Sequence, residues 1–221
     1  MINLSPRLFA VYKMIDDNSN IVDIGCDHGL LDIYTYLHKK NITIISSDIN
    51  KNALNNATKN IKKYNLDKKI KTVLSDGLEN IDTADLNTII ISGMGAHTIV
   101  GILISNIKKL KNIDTIIIQS NNDHEFLRKK IVKLGYYIED EELVKEKKYI
   151  YTIIKFKKGK KHYTKKQLYF GPILIEKNNK IFIEKNKTDL EKLKILYKLI
   201  PKSHWKLRIK TKLKTKMYQK I

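Results

Sequence analysis

Short runs rich in Ile and Val recur along the first half of this chain, at 20–26, 43–49, 70–76, 87–93 and 114–120. Each is too short for a globular helix and apolar on both alternating faces, the pattern of a strand covered on both sides. Between the runs lie segments with helical spacing. Asn50 to Tyr64 sets Ala53, Leu54, Ala57, Ile61 and Tyr64 on one face. Ala96 to Leu110 and Asp123 to Leu134 read alike, the second with Asp123 as its N-cap. Strand–helix alternation requires right-handed crossovers, and so a doubly wound parallel sheet with helices on both faces. After Gly135 the order changes. The segment YYIEDEELVKEKKYIYTIIKFKKG holds two strand-like runs with no room for a helix, so a hairpin is expected to end the sheet.

Three of these runs deliver a carboxylate near their C-terminal ends. The first leads into Asp23, Gly25, Asp27, His28 and Gly29, the second ends at Asp48 beside Ile49, and the third ends at Asp76 beside Gly77. In an open parallel sheet that edge is where ligands bind. Gly25 stands at the strand-to-helix turn, where backbone must approach a ligand. The turn is not G-x-G-x-x-G, because Asp27 occupies a glycine position, and a carboxylate there repels a pyrophosphate. An Asp-lined pocket suits a ribose, an exocyclic amine and a cationic amino acid, which together describe S-adenosylmethionine. Asp48 follows Gly25 at about the spacing of a ribose-binding acid. Asp76 is positioned to accept the adenine amine, with Gly77 leaving room beside the ring. Asp27 either holds the methionine ammonium or faces the group being methylated. His28 either starts a helix or faces the transfer centre, and Cys26 reads as a small buried filler. The fourth run ends in Ser92, Gly93, Met94, Gly95, small residues that leave space for a base, with Met94 able to pack on it. The fifth ends in Gln119, Ser120, Asn121, Asn122, amides that read a base edge or cap the next helix.

A sheet of five parallel strands closed by an antiparallel pair is the outline of a class I methyltransferase; a dinucleotide-dependent dehydrogenase repeats another βαβ half. The fold class expected is therefore α/β, a Rossmann-like methyltransferase sheet followed by an α-helical, coiled-coil-like domain. The division expected is 1–160 for catalysis and 161–221 for the helical part. Leu190, Leu193, Leu196, Tyr197 and Ile200 mark one helical stripe, Pro201 breaks it, and Trp205, Ile209, Leu213 and Met217 mark a second. Charge divides at the same place. Residues 1–154 carry 21 Lys and Arg against 19 Asp and Glu, whereas 155–221 carry 22 against 4. Coding bias explains why 40 of 43 bases are Lys, but not why the acids disappear. A polyanionic partner for the C-terminal third explains it, with Lys206, Arg208 and Lys210 as candidate phosphate contacts. A small-molecule methyltransferase has no use for such a region. A non-catalytic RNA-binding protein on the same scaffold would show an eroded pocket, and the acids are in place. The single cysteine excludes a disulfide framework and a Cys-based zinc cluster, and no metal is expected. With no secretory signal and no run of about 18 apolar residues, a cytoplasmic monomer that does not enter membranes is expected.

Several segments together carry a resemblance. LSPRL at 4–8, DIGCDHGLL at 23–31, SDG at 75–77, SGMG at 92–95, QSNN at 119–122 and GPILIEKNN at 171–179 resemble the bacterial tRNA (adenine-N1)-methyltransferases that act on position 22. The resemblance implies S-adenosylmethionine as methyl donor, tRNA as substrate and a C-terminal helical domain that helps hold the tRNA. Asp27, His28 and Asn121 are the candidates for the reaction centre, and Arg7 and Gly95 for contact with the substrate. Asp23, Gly25, Asp48, Ile49, Asp76, Gly77, Gly93 and Met94 then surround the cofactor. Where the family reads Gln-Pro-Asn, Ser120 stands in place of the Pro. The Asn- or Asp-Pro-Pro-aromatic signature of adenine N6-methyltransferases is absent from SGMG, which turns the chemistry away from the exocyclic amine.

Overall fold

The computed structural model describes residues 2–219. It divides into two compact units, with the boundary between His162 and Tyr163.

The first unit holds one seven-stranded sheet, in the order β3-β2-β1-β4-β5-β7-β6. Strands β1 (Asn20–Ile24), β2 (Thr43–Asp48), β3 (Ile70–Leu74), β4 (Thr88–Met94) and β5 (Thr115–Ser120) run parallel. The hairpin of β6 (Tyr136–Glu146) and β7 (Tyr149–Lys158) closes the sheet, with β7 antiparallel to β5. Helices α2 (Leu30–His38), α3 (Lys51–Lys63), α4 (Ala96–Ser105) and α5 (His124–Lys133) make the crossovers. The segment expected as one helix to Leu110 stops at Ser105 and continues as a 3-10 turn, Ile107–Asn112. The central strands read as apolar runs because both faces are covered: Ile89, Ile90 and Ile91 of β4 and Ile116, Ile117 and Ile118 of β5 are all buried. A buried ion pair, Arg128 Nε to Glu141 Oε1 at 2.6 Å, ties α5 to β6.

Asp123 begins α5 as the pattern predicts, its carboxylate accepting from the Phe126 N–H at 3.2 Å. Its own backbone is left-handed, at φ +39°. Asp123→Ala loses the cap and strains that turn, so unfolding in urea should show a loss of about 1–2 kcal/mol.

Helix α1 (Pro6–Lys13) was not expected from the pattern. Ser5 caps it by accepting from the Leu8 N–H, and Pro6 occupies its first turn, where no amide is needed. Its Arg7 N–H donates to Glu146 Oε2 at 3.0 Å, which fixes α1 against the end of β6.

The second unit is helical: α6 (Lys165–Phe170), α7 (Pro172–Lys177), α8 (Lys180–Leu199) and α9 (Trp205–Tyr218). Helices α8 and α9 fold back on one another around Pro201. The second stripe differs from expectation. Trp205, Ile209 and Leu213 are 59%, 51% and 58% exposed, while Thr211 is buried. The reason is Arg208. Its guanidinium donates to the Ile200 carbonyl at 2.6 Å and lies over the Tyr197 ring, closing the C-terminus of α8. That contact turns the Arg208–Thr211 face of α9 toward α8. Among the described residues no helix is long and apolar enough to cross a membrane.

Candidate active site

A pocket of about 430 Å³ opens at the C-terminal edge of the sheet, where β1 and β4 diverge. Crossovers leave in opposite directions from these neighbouring strands, so the edge splits there into a crevice. Of the residues singled out above, Arg7, Asp23, Gly25, Asp27, His28, Asp48, Gly93 and Met94 line it. Ile49, Asp76, Gly77, Gly95 and Asn121 lie on the adjoining strand ends, outside its walls, and Lys206, Arg208 and Lys210 belong to the second unit.

The β1–α2 turn is built around Gly25, whose φ is +80°. That left-handed backbone is what calls for glycine; a Cβ there would also stand 2.5 Å from the Met94 methyl, which would have to move aside. Met94 reaches this point because β4 carries a bulge between Ser92 and Met94, which re-aims the chain. Asp27 is left-handed at φ +51°, and its N–H donates to Asp48 Oδ2 at 3.2 Å. Asp48 Oδ1 accepts from the Asn50 N–H at 2.8 Å. One carboxylate in the pocket wall thus holds the loop and the end of β2 together. The side chains of Asp27 and His28 are 73% and 55% exposed, 3.7 Å apart.

The floor is different. Asp23 is buried, and its Oδ1 has no N–H or O–H donor. Burial and the charge of Asp32 push its carboxyl well above the ordinary range, Asp48 adding to the effect and Arg7 opposing it. Burial also raises Asp32, to about 7, although hydrogen bonds from Ser46 and with Asp23 offset part of that rise. Cys26 is held as a neutral thiol by burial and by the surrounding carboxylates, so it is no nucleophile.

Gln119, fully buried at the end of β5, organises the other wall. Its Oε1 accepts from Arg7 Nη1 at 2.7 Å, the Gly93 N–H at 3.0 Å and Ser92 Oγ at 3.2 Å. Its amide donates to Asn121 Oδ1 at 3.1 Å, and Asn121 Nδ2 donates to the Gly93 carbonyl at 2.7 Å. Asn122 Oδ1 receives the Ala96 N–H, capping α4 from the neighbouring strand. Gln119 entered the sequence reading only as one of several amides; its part here depends on Arg7 arriving from more than a hundred residues away. The space beside Gly77 is filled from the other side, since a Cβ there would meet Ile102 Cγ2 at 2.7 Å. Asp32 gave no signal, standing mid-helix in LLDIY.

This strand order, with carboxylates rather than a glycine cradle at the switch point, defines a class I methyltransferase. The chain belongs to the tRNA (adenine(22)-N(1))-methyltransferase family, whose model matches residues 21–221. It is 27% identical over 219 residues to the Bacillus subtilis (strain 168) enzyme of that name, covering 96% of this chain and 92% of that one. Among solved structures it is similar to M. capricolum TrmK in complex with S-adenosylhomocysteine, with TM-score 0.86, 30% identity and 98% and 96% of the two chains covered. It is also similar to a Streptococcus pneumoniae protein, described as a candidate tRNA (m1A22) methyltransferase, in complex with S-adenosylmethionine. There the TM-score is 0.90 at 26% identity, over 99% of each chain.

Proposed function

We propose that this chain methylates N1 of the adenine at position 22 of tRNA, with S-adenosylmethionine as donor. The observation that carries the reading is the acid-lined pocket at the switch point of a family member. The residues fit the donor. Asp23 offers a buried carboxyl with an unpartnered oxygen, suited to an ammonium, and Asp48 keeps lone pairs for a ribose diol. No backbone cradle for a phosphate is present at Asp27. Ile49, 64% exposed beside Asp48, offers an apolar face for adenine, and Asp76 an acceptor for its amine. Gly25, Gly77, Gly93 and Met94 shape the surrounding backbone.

S-adenosylmethionine, when bound, supplies an electrophilic sulfonium methyl. Adenine N1 carries an in-plane lone pair and needs no prior deprotonation, so the protein's work is positioning and electrostatics. The methylated base is cationic, and Asp27, with His28 beside it, is the carboxylate at the pocket mouth that would face this charge. Arg7, pinned by Ser92 and Gln119, and Gly95 flank the entry for the base, while Asn121 holds the Gly93 turn. N1 is a Watson–Crick atom, so the target base must be unpaired or extruded. The first unit carries this chemistry. The second, with 17 Lys and Arg against 4 acids, grips phosphates through residues such as Lys206 and Lys210, and Arg208 braces the hairpin that presents them. Binding of this kind follows tRNA shape more than sequence. We take the protein to act as a cytoplasmic monomer, which light scattering of the purified chain would check.

Nucleoside mass spectrometry of tRNA incubated with the protein and methyl-labelled donor tests the reading. Label in 1-methyladenosine at position 22 is expected; label on another atom or no label would overturn it.

A further inference from the structure

Below the pocket two carboxyls lie close together in a buried site. Asp23 on β1 and Asp32 on α2 are 4% and 1% exposed, and both adjoin Ser46, which stands opposite Asp23 in the β1–β2 register and donates its hydroxyl to Asp32 Oδ2. Two neighbouring carboxyls this deeply buried disfavour each other's charge, which favours one proton held on the pair. That proton also accounts for Asp23 Oδ1, which no N–H or O–H reaches. The groups facing the pair leave it no counter-ion of its own. Ser46 on β2 donates its hydroxyl to Asp32, Asp48 on β2 adds negative charge, and Cys26 is a neutral thiol. Arg7 on α1 is the one cation among them, and it is bound to Ser92 and Gln119. A buried acid on the apolar face of a helix is costly unless paired.

We propose that Asp32 is a positioning residue for the cofactor: it keeps a proton on the Asp23–Asp32 pair in the free protein, and that proton is released when an ammonium docks against Asp23. The inference rests on the S-adenosylmethionine reading. The balance is simple: a carboxyl O–H breaks, its proton passes to bulk buffer, and the ligand's ammonium replaces it as counter-charge. Affinity is thereby tied to the ligand's positive charge and to pH. The pair also marks the apo protein. A folded-state pKa raised to about 7 means that the stability the proton lends is full below the ordinary carboxylate range, declines as pH rises and is gone once pH passes about 7.

Calorimetric titration of the full chain with S-adenosylmethionine, in buffers of different ionisation enthalpy, counts the protons released. Wild type should release a substantial fraction of one proton near pH 7, and affinity should rise with pH by up to about tenfold per unit, the limit for one linked proton. Asp32→Asn keeps the shape and a donor toward Asp23 while removing the shared proton. It should bind the ligand with a flatter pH profile and release fewer protons. Both proteins share the ligand's own ionisation, so the difference belongs to the pair. Thermal unfolding of the apo proteins is the second measurement, with a decline from the ordinary carboxylate range up to about pH 7 expected in wild type and a weaker one in the variant. Equal proton release by both proteins, or none by wild type, overturns the inference and leaves the cofactor reading standing. Absence of binding at every pH would overturn both. If the variant fails to fold, the wild-type proton count alone decides.

Discussion

A chain ending at His162 is expected to bind S-adenosylmethionine as the full chain does and to lose tRNA affinity by about a hundredfold or more at low salt. The first half of this expectation follows from where the pocket residues lie. All of them precede Ala96, and the sheet that aligns them is complete at Lys158. The second half follows from charge. From Lys192 to the end the chain carries eleven Lys and Arg and no acid. If about six of these meet phosphates, counter-ion release gives the full chain a log–log salt slope of about −5. The shortened chain should show a much shallower slope. Gel shift across a salt series and a cofactor titration measure the two halves separately. A truncated chain that still held tRNA would refute the assignment of phosphate binding to the helical unit.

Asp27→Asn should lower turnover by more than about tenfold, at least about 1.4 kcal/mol of transition-state stabilisation, with tRNA affinity nearly unchanged. Asn tolerates a left-handed backbone about as well as Asp. The φ of +51° and the Asp27 N–H bond to Asp48 should therefore survive, and the substitution isolates the charge. Kinetics then separate the two roles left open by the sequence. A fall in kcat with the KM for S-adenosylmethionine unchanged places the carboxylate against the adenine. A raised KM for the donor places it against the ammonium. Unchanged turnover removes Asp27 from the mechanism.

Much of the fold was legible because its signals are local. A buried parallel strand reads as a β-branched run within six residues, and β4 and β5 lie within a residue of their expected ends. Helix α1 was missed because eight residues with one cap and no strong apolar stripe resemble a loop. The exposed face of α9 was misjudged because four apolar residues at helical spacing look like a packing stripe. The arginine that decides which face turns inward acts through a carbonyl on another helix. Gly77 shows the same limit: a glycine after a strand suggests room for a ligand, and here the room is taken by Ile102.

The sequence by itself determined the sheet, the acids at successive strand ends, the absence of a phosphate cradle at Asp27 and the separation of charge between the two units. These are properties of period and position, which a strand or helix expresses without knowing its neighbours. The tertiary structure decided that Arg7 and Gln119 share a wall of the pocket, that Met94 closes over Gly25, and that Asp32 stands beneath Asp23. Those pairings exist only once crossovers bring distant strand ends to one edge. There, burial changes the chemistry of a carboxyl that the sequence shows merely as one more acid.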